Sequence, residues 1–168
     1  MQSHPKFRVL FLCSGNSARS ILAEYLLRHL GGDRFEVSSA GSKPSGKVNP
    51  LVLRILTENF QIDASDARCK SWHELENIHF DFIITLCDDA RERCPVMPGE
   101  PIAAHWSFED PSSFQATEED IFDKLVRMAF AIRRRVELFA TLPMDKLDRL
   151  QRQIHIRRIH EGESEAEA

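Results

Sequence analysis

The eight residues Cys13–Ser20, CSGNSARS, decide the fold and the chemistry predicted for this chain. They follow the apolar run Val9–Leu12 and precede a segment whose apolar residues recur at helical spacing. This pattern predicts a strand that ends at a cysteine and turns at once into a helix. Backbone N–H groups at such a helix start converge on one spot, and the helix dipole adds about half a positive charge. The stretch, which we call the anion loop, therefore predicts a site for an oxyanion.

The side chains of the anion loop fit a nucleophilic cysteine. Cys13 lies at the edge of the positive field, which predicts a stabilised thiolate, and the Ser20 hydroxyl is placed to donate to it. Arg19 can present its planar guanidinium to a tetrahedral oxyanion. Gly15 and Asn16 tolerate the unusual backbone conformations of a tight loop. The predicted oxyanion-binding residues are Ser14, Gly15, Asn16, Ser17, Ala18, Arg19 and Ser20.

Two further cysteines follow a second apolar run. Cys87 comes directly after Phe82–Leu86, so we expect it at the end of a strand, on the same sheet edge as Cys13. Cys94 follows seven residues later. Without a signal peptide or membrane span, the chain is expected to be soluble and cytoplasmic, where cysteines stay reduced unless they are catalytic or redox-active. The alternative is that both are ordinary buried cysteines.

The spacing of this pair constrains any disulfide between the two thiols. If Asp88–Cys94 is helical, the two Cα atoms are about 10 Å apart at a rise of about 1.5 Å per residue. A disulfide requires a separation below about 7 Å. Oxidation would therefore unwind the segment, which makes the pair a switch rather than a fixed crosslink.

Asp110 is the candidate general acid. Expelling an oxygen from a pentavalent centre needs a proton donor near the oxyanion, and Pro111 stiffens the loop that presents this carboxyl group. The alternative is an Asp-Pro turn with a local role only. The chain has one tyrosine, Tyr25, and Ser112, Ser113 and Phe114 follow the Asp-Pro pair, so an aromatic slot for a substrate ring is poorly provided. A small inorganic anion suits the site better.

The chain resembles the low-molecular-weight protein tyrosine phosphatase superfamily, which includes the thioredoxin-coupled arsenate reductases. The resemblance covers roughly residues 7–140. Besides the anion loop it rests on Ser39-Ala40-Gly41, Val48-Asn49-Pro50, Thr85-Leu86-Cys87-Asp88-Asp89-Ala90, Cys94-Pro95 and His105-Trp106-Ser107-Phe108-Glu109-Asp110-Pro111.

The resemblance implies an arsenate reductase with three working thiols. Cys13 attacks arsenate with Asp110 as general acid, Cys87 attacks the Cys13 adduct, and Cys94 then resolves the disulfide. Thioredoxin is the implied electron donor, with glutaredoxin and glutathione as the alternative, and no cofactor is implied. Cys69 matches no family cysteine and is taken as structural or incidental.

Two positions depart from the family pattern. Ala18 stands where the reductases commonly have a second loop cysteine. Some reductases also bind potassium beside the loop, through residues that match Asn16, Glu24, Ser39 and a carboxylate. Lys70 occupies the carboxylate position, and its ammonium is expected to replace the cation, so we predict that no metal is bound.

Two other functions are compatible with the sequence. The first is a phosphatase that hydrolyses a phosphocysteine intermediate with water, using Cys13, Arg19 and Asp110. The second is a sensor that holds trivalent arsenic or another soft metal on thiolates without turnover. The sensor leaves Arg19 and Asp110 without a role.

The rest of the chain predicts one α/β domain with an appendage. At 168 residues and 42% apolar content it can bury a single core, and a net charge of −4 gives no support for nucleic-acid binding. Apolar runs predict strands at 7–12, 35–40, 81–86 and 101–104 and helices at 18–30, 49–59, 71–77 and 117–140. This alternation predicts a three-layer sandwich with a central four-stranded parallel sheet flanked by helices, the fold that the resemblance also implies.

The predicted domain spans residues 5–142, and residues 143–168 form a C-terminal extension. Within the extension a helix is predicted at 143–160, with Leu147, Leu150 and Ile154 on one face. A solvated, partly ordered helix is favoured over one that packs on the domain, pairs with another copy of the chain or serves as a docking helix. The acidic end, residues 161–168, is predicted to be disordered.

Overall fold

The computed structural model describes residues 5–167, apart from the side chains of residue 112 and of residues 161–167. The strands are β1 Phe7–Cys13, β2 Phe35–Gly41, β3 Phe82–Thr85 and β4 Ile102–His105. The α-helices are α1 Arg19–Gly31, α2 Pro50–Phe60, α3 Asp88–Arg93, α4 Glu118–Ala140 and α5 Arg149–Glu167. Short 3₁₀ helices lie at Gly32–Arg34, Trp72–Leu75, Pro111–Ser113 and Met144–Lys146.

The four strands form one parallel sheet in the order β2-β1-β3-β4. The apolar runs of the two central strands, β1 and β3, are buried on both faces because helices lie around the sheet, whereas the edge strands β2 and β4 each expose a residue. The register pairs Cys13 with Gly41 and Leu12 with Thr85, so the ends of β1, β2 and β3 lie side by side. The predicted α/β fold with a central four-stranded parallel sheet is confirmed.

Two helices begin at the capping residues that the sequence provides. The Asn49 side chain accepts a hydrogen bond from the N–H of Leu51 at the start of α2, with Pro50 in the first helical position. The Thr117 hydroxyl accepts from the N–H of Asp120 at the start of α4. The helix predicted over 117–140 is confirmed.

The segment between α2 and β3 departs from the prediction. The expected helix at 71–77 is only a 3₁₀ helix, Trp72–Leu75, that starts at a capping box formed by Ser71 and Glu74. Its one buried residue, Trp72, gives too little apolar contact to extend it. By contrast, Asp88–Arg93 forms the helix α3, which the apolar pattern did not predict and which entered only as a condition on the spacing of Cys87 and Cys94.

The C-terminal extension packs on the sheet edge instead of standing in solvent. The helix α5 contacts β4 and α4, with Ile156 and Ile159 buried, while Leu150 and Ile154 of the predicted face are exposed. The favoured interpretation of a solvated helix, and the face assigned to it, were therefore wrong for the described part of α5. The backbone of α5 continues to Glu167, and residue 168 lies outside the described residues. The disorder predicted for residues 161–168 stays a prediction.

A buried tryptophan joins the extension to the domain. The Trp106 side chain is fully buried after β4, and its Nε1 donates a hydrogen bond of 3.2 Å to the backbone oxygen of Ile156 in α5. Along residues 5–167, no helix combines the length and the apolar character that crossing a bilayer requires.

Replacing Trp106 with phenylalanine is expected to lower the free energy of unfolding by about 1–3 kcal/mol, because an indole hydrogen bond is lost and the smaller ring leaves a cavity. Urea unfolding followed by circular dichroism measures the change. Trp72→Phe is the matched control, since the Trp72 indole donates to the exposed His73 ring and should cost less. Equal losses in the two variants would contradict this role of Trp106.

Candidate active site

Cys13 ends β1 and is almost completely buried at the start of the anion loop. Its sulfur lies 2.9 Å from the Ser20 hydroxyl oxygen, and it also accepts backbone hydrogen bonds from Asn16 and Ser20. The Asn16 side-chain amide donates to the Ser20 oxygen at 2.7 Å. Because that oxygen already accepts a hydrogen bond from the Asn16 amide, the Ser20 hydroxyl can donate its own hydrogen bond to the Cys13 sulfur.

The segment of residues 42–49 fixes the orientation of the anion loop. Its backbone N–H groups donate to four loop carbonyl groups, those of Cys13, Ser14, Gly15 and Ser17, at 2.8–3.1 Å. With the carbonyl groups turned outward onto this segment, the loop amides face the cavity. This arrangement converts a polar backbone into a set of donors for an anion.

Gly41 and Asn16 meet geometric demands of the loop. A Cβ atom on Gly41 would lie 2.5 Å from the backbone oxygen of Ser14, so no larger residue fits there without displacing the loop. Asn16 adopts a positive φ of 48°, which asparagine tolerates better than most residues. The motif Ser39-Ala40-Gly41 is thus explained in part by close approach of β2 to the anion loop.

A buried polar network supports the loop from behind. The Asn16 amide also donates to Ser39 at 3.0 Å, and the Ser39 hydroxyl donates to Glu24 at 2.5 Å. The Glu24 carboxylate forms ion pairs with the Arg28 guanidinium at 2.8 Å and with the Lys70 ammonium at 3.7 Å. The four residues expected to support the loop, Asn16, Glu24, Ser39 and Lys70, are therefore brought together.

Lys70 contacts Glu24 and Asn16, the two ends of this network, through different atoms. Its ammonium lies beside Glu24, as expected from the sequence, whereas Asn16 is held by the Lys70 backbone N–H at 2.9 Å. Within the described part of the chain, no group of three or more His, Cys, Asp or Glu side chains is arranged to hold a metal ion.

Arg19 and Asp110 meet at the mouth of the loop. Arg19 is the first residue of α1, whose start has no acidic residue and no side-chain cap, so the helix N-terminus is left for a ligand. The buried Arg19 guanidinium donates to the Phe108 carbonyl group at 3.2 Å and to the Ser14 hydroxyl at 3.3 Å. The half-exposed Asp110 carboxylate lies 3.8 Å from it, in the loop that follows β4.

A cavity of about 280 Å³ opens above Cys13. Arg19, Lys43 and Asp110 supply its charged groups, while Ile121 and Leu125 of α4 supply an apolar wall. None of its described lining residues is aromatic. Lys43, Ser45, Ile121 and Leu125 were not among the predicted site residues, because their approach to the loop depends on tertiary packing.

The electrostatic environment of Cys13 differs from the expectation. Burial raises the pKa of the Cys13 thiol above its ordinary value, and this outweighs the opposing effects of Arg19 and of the hydrogen bonds from Ser20 and Asn16. Burial thus opposes the predicted thiolate in the free site. The groups that lower the pKa are nevertheless the predicted ones.

Cys87 and Cys94 flank α3 at its two ends. Cys87 is buried at the N-terminal cap, where its sulfur accepts from the Ala90 N–H at 3.4 Å, and Cys94 is half-buried at the C-terminal cap. Leu86 donates through its backbone N–H to Leu12, which places Cys87 beside the strand end that carries Cys13. With α3 intact the two thiols are too far apart to bond, since its rise separates their Cα atoms by about 10 Å.

The helix α3 is held mainly by polar contacts at its first turn. His105 lies 3.0 Å from the Asp88 carboxylate, and the Ser42 hydroxyl donates to Asp89 at 2.8 Å. Only Ala90 of the helix is buried. A helix of six residues with one buried side chain is easily opened, which is the property that the predicted switch requires.

Cys69 lies beside the anion loop, although it matched no motif. Its thiol donates to the Gly15 carbonyl group at 3.3 Å and lies 3.9 Å from the Ser45 hydroxyl. The sequence offered no signal for this contact. The geometry gives Cys69 a structural role at the outer face of the loop.

Comparisons with known proteins match this fold and site. The family model described as low molecular weight phosphotyrosine protein phosphatase matches residues 8–140. An arsenate reductase of Shouchella clausii is 38% identical over 133 residues, which are 79% of this chain and 94% of the relative. An arsenate reductase of Bacillus subtilis is 35% identical over 132 residues, 79% of this chain and 94% of the relative.

Solved structures of related proteins share this fold. An arsenate reductase from Archaeoglobus fulgidus superposes with a TM-score of 0.64 at 28% identity, covering 80% of this chain and 99% of the other. A thioredoxin-dependent arsenate reductase of Corynebacterium glutamicum gives a TM-score of 0.55 at 30% identity, covering 82% of this chain and 65% of the other. Because the matched residues 8–140 run from β1 to the end of α4 and include the whole anion loop, the chain belongs to the low-molecular-weight phosphotyrosine protein phosphatase family.

Proposed function

We propose that the chain is an arsenate reductase in which Cys13, Cys87 and Cys94 act in turn and a dithiol protein, thioredoxin, restores the reduced form. Relatives at 33–38% identity carry the name arsenate reductase, and one structural neighbour is named as thioredoxin-dependent. Glutaredoxin with glutathione is the alternative donor. The cytoplasm is the proposed compartment, because reduced thiols are maintained there.

In the first step the Cys13 thiolate attacks arsenate bound on the loop amides and Arg19. Asp110 gives a proton to the departing oxygen, which leaves as water, and a sulfur–arsenic bond forms. Burial raises the pKa of Cys13, and the Arg19 charge and the hydrogen bonds from Ser20 and Asn16 are the means by which the loop favours the thiolate.

In the second step the Cys87 thiolate attacks the Cys13 sulfur. A disulfide forms between the two, and the electron pair of the sulfur–arsenic bond leaves with arsenic as arsenite. Cys94 then attacks Cys87, which frees Cys13 and leaves a Cys87–Cys94 disulfide. The two electrons gained by arsenic are thus those lost by the last thiol pair, and the external dithiol returns them.

The position of Cys87 carries the proposal. A phosphatase needs only the anion loop and the general acid, whereas this chain adds a cysteine at the neighbouring strand end and another across a short, weakly packed helix. The cavity agrees with a small inorganic anion, because its described lining offers no aromatic wall for a phosphotyrosine ring.

Phosphate-monoester hydrolysis is the second candidate, since the family model itself describes phosphatases. Both reactions would use Cys13, Arg19 and Asp110. Only the reductase needs Cys87 and Cys94, so the two activities separate by mutation. A sensor that holds trivalent arsenic or another soft metal on thiolates without turnover is a weaker candidate, because it gives no role to Arg19 and Asp110, which both line the cavity above Cys13.

Arsenate should drive NADPH oxidation in the presence of thioredoxin and thioredoxin reductase, whereas phosphate should not. Cys87→Ser and Cys94→Ser are expected to abolish multiple turnover. The first variant should retain arsenic on Cys13, and the second should retain a Cys13–Cys87 disulfide. Mass spectrometry detects both species. Cys69→Ser is the matched control, because its hydroxyl can still donate to Gly15. Full turnover by Cys87→Ser, or turnover of a phosphate monoester alone, would favour the phosphatase.

The arsenate-dependent rate is expected to be the same in potassium chloride and sodium chloride at equal ionic strength, because the Lys70 ammonium already lies beside Glu24. Lys70→Asp restores the carboxylate that other reductases have and should introduce a preference for potassium. Stimulation of the unmodified protein by potassium but not by sodium would refute the proposed role of Lys70.

The alkylation rate of Cys13 by iodoacetamide should keep rising with pH beyond the ordinary thiol pKa of 9.0, because burial raises the pKa in the free site. Ser20→Ala removes a hydrogen bond that lowers this pKa, so less thiolate is present at neutral pH and the rate should fall about tenfold there. Peptide mass spectrometry follows Cys13 specifically. Ser45 lines the same cavity, so Ser45→Ala serves as the control. An equal fall in the alkylation rate of both variants would count against the role of Ser20.

A further inference from the structure

A second cavity, of about 550 Å³, shares no described lining residue with the one above Cys13. Its walls come from β3, β4, the end of α3 and α5, and Cys94 is among the side chains that line it. The volume is that of a small-molecule site. The proposed relay uses Cys94 only as a thiol and leaves this cavity without a function.

Two arginines give this cavity positive charge. Arg91 of α3 and Arg157 of α5 line it together with His105 and His160. Among the side chains that the structure describes, neither arginine forms an ion pair with a carboxylate. Among the carboxylates whose side chains the structure describes, that of Asp88 lies 3.0 Å from His105 at this wall.

The extension beyond the family region builds one side of the cavity. Arg157 and His160 belong to α5, whereas the family model matches only residues 8–140. The hydrogen bond from Trp106 to Ile156 fixes α5 at this edge of the sheet. With its side-chain oxygen turned toward Arg157, Gln153 accepts from the guanidinium at 2.6 and 3.0 Å, which positions the charge without neutralising it.

We infer that this cavity binds a small disulfide carrying carboxylates, of the class of oxidised glutathione, and that Cys94 exchanges with it to form a mixed disulfide. The Cys94 thiolate attacks one sulfur of the bound disulfide, the sulfur–sulfur bond breaks, and the other half leaves as a thiolate that takes up the proton lost by Cys94. The exchange does not depend on arsenate being the substrate. If the proposed relay operates, a capped Cys94 cannot resolve the Cys13–Cys87 disulfide.

Binding is needed for this reaction to be selective. Burial raises the pKa of the Cys94 thiol, so little thiolate is available near neutral pH to react with disulfides from bulk solution. A ligand held by Arg91 and Arg157 beside the sulfur reacts at a high effective concentration instead. Charge should therefore decide which disulfide reacts at Cys94.

The test measures the rate of mixed-disulfide formation at Cys94 by peptide mass spectrometry, with oxidised glutathione as the anionic probe and cystamine as the cationic one. The Cys87→Ser chain is used, so that Cys87 cannot displace the attached group. Each rate is divided by that of the same probe with the urea-unfolded chain, which removes differences in intrinsic reactivity. We expect the normalised rate with oxidised glutathione to exceed that with cystamine about fivefold or more, from two ion pairs at the cavity.

Arg91→Gln and Arg157→Gln should each reduce this preference, whereas Arg158→Gln, the neighbouring exposed arginine of α5 outside the cavity lining, should leave it unchanged. Raising the salt concentration should also bring the two normalised rates together, a check that needs no arginine variant. Equal rates for both probes, an equal effect of Arg158→Gln, or absence of modification at Cys94 would each overturn the inference.

Discussion

Four backbone hydrogen bonds from the segment of residues 42–49 turn the anion-loop carbonyl groups outward, and the active site depends on that orientation. Without them the loop would present oxygen atoms as well as N–H groups to the cavity, and an oxyanion would meet repulsion. The same constraint explains the glycine at position 41, because β2 must approach the Ser14 oxygen more closely than any side chain permits. The buried network behind Asn16 then fixes the loop from the other side.

Local patterns in the sequence were sufficient to predict the parallel sheet and the position of the anion loop. Four apolar runs predicted four parallel strands, and the strand–cysteine–helix pattern predicted the turn from β1 into α1 that forms the anion loop. The cluster of Asn16, Glu24, Ser39 and Lys70 came from resemblance, and the structure brings these residues together. These features could be predicted because each depends on residue type at a short or family-defined spacing.

Features set by tertiary contact could not be predicted in this way. The buried face of α5 is defined by Ile156 and Ile159, because β4 and Trp106 approach from that side, whereas periodicity alone favoured the face of Leu150 and Ile154. The pKa of Cys13 is another case: the sequence shows the groups that stabilise a thiolate but not the degree of burial that opposes them. Lys43 and Ser45 likewise reach the cavity only through the fold.

The Ser42–Asp89 hydrogen bond joins the two parts of the site physically. Ser42 holds the Cys13 carbonyl group through its backbone, and its side chain binds the helix whose ends carry Cys87 and Cys94. If the proposed relay operates, unwinding of that helix on oxidation removes this partner from Ser42 and loosens the segment that holds the Cys13 carbonyl group. An oxidised chain is then expected to bind a new anion less tightly until its thiols are reduced.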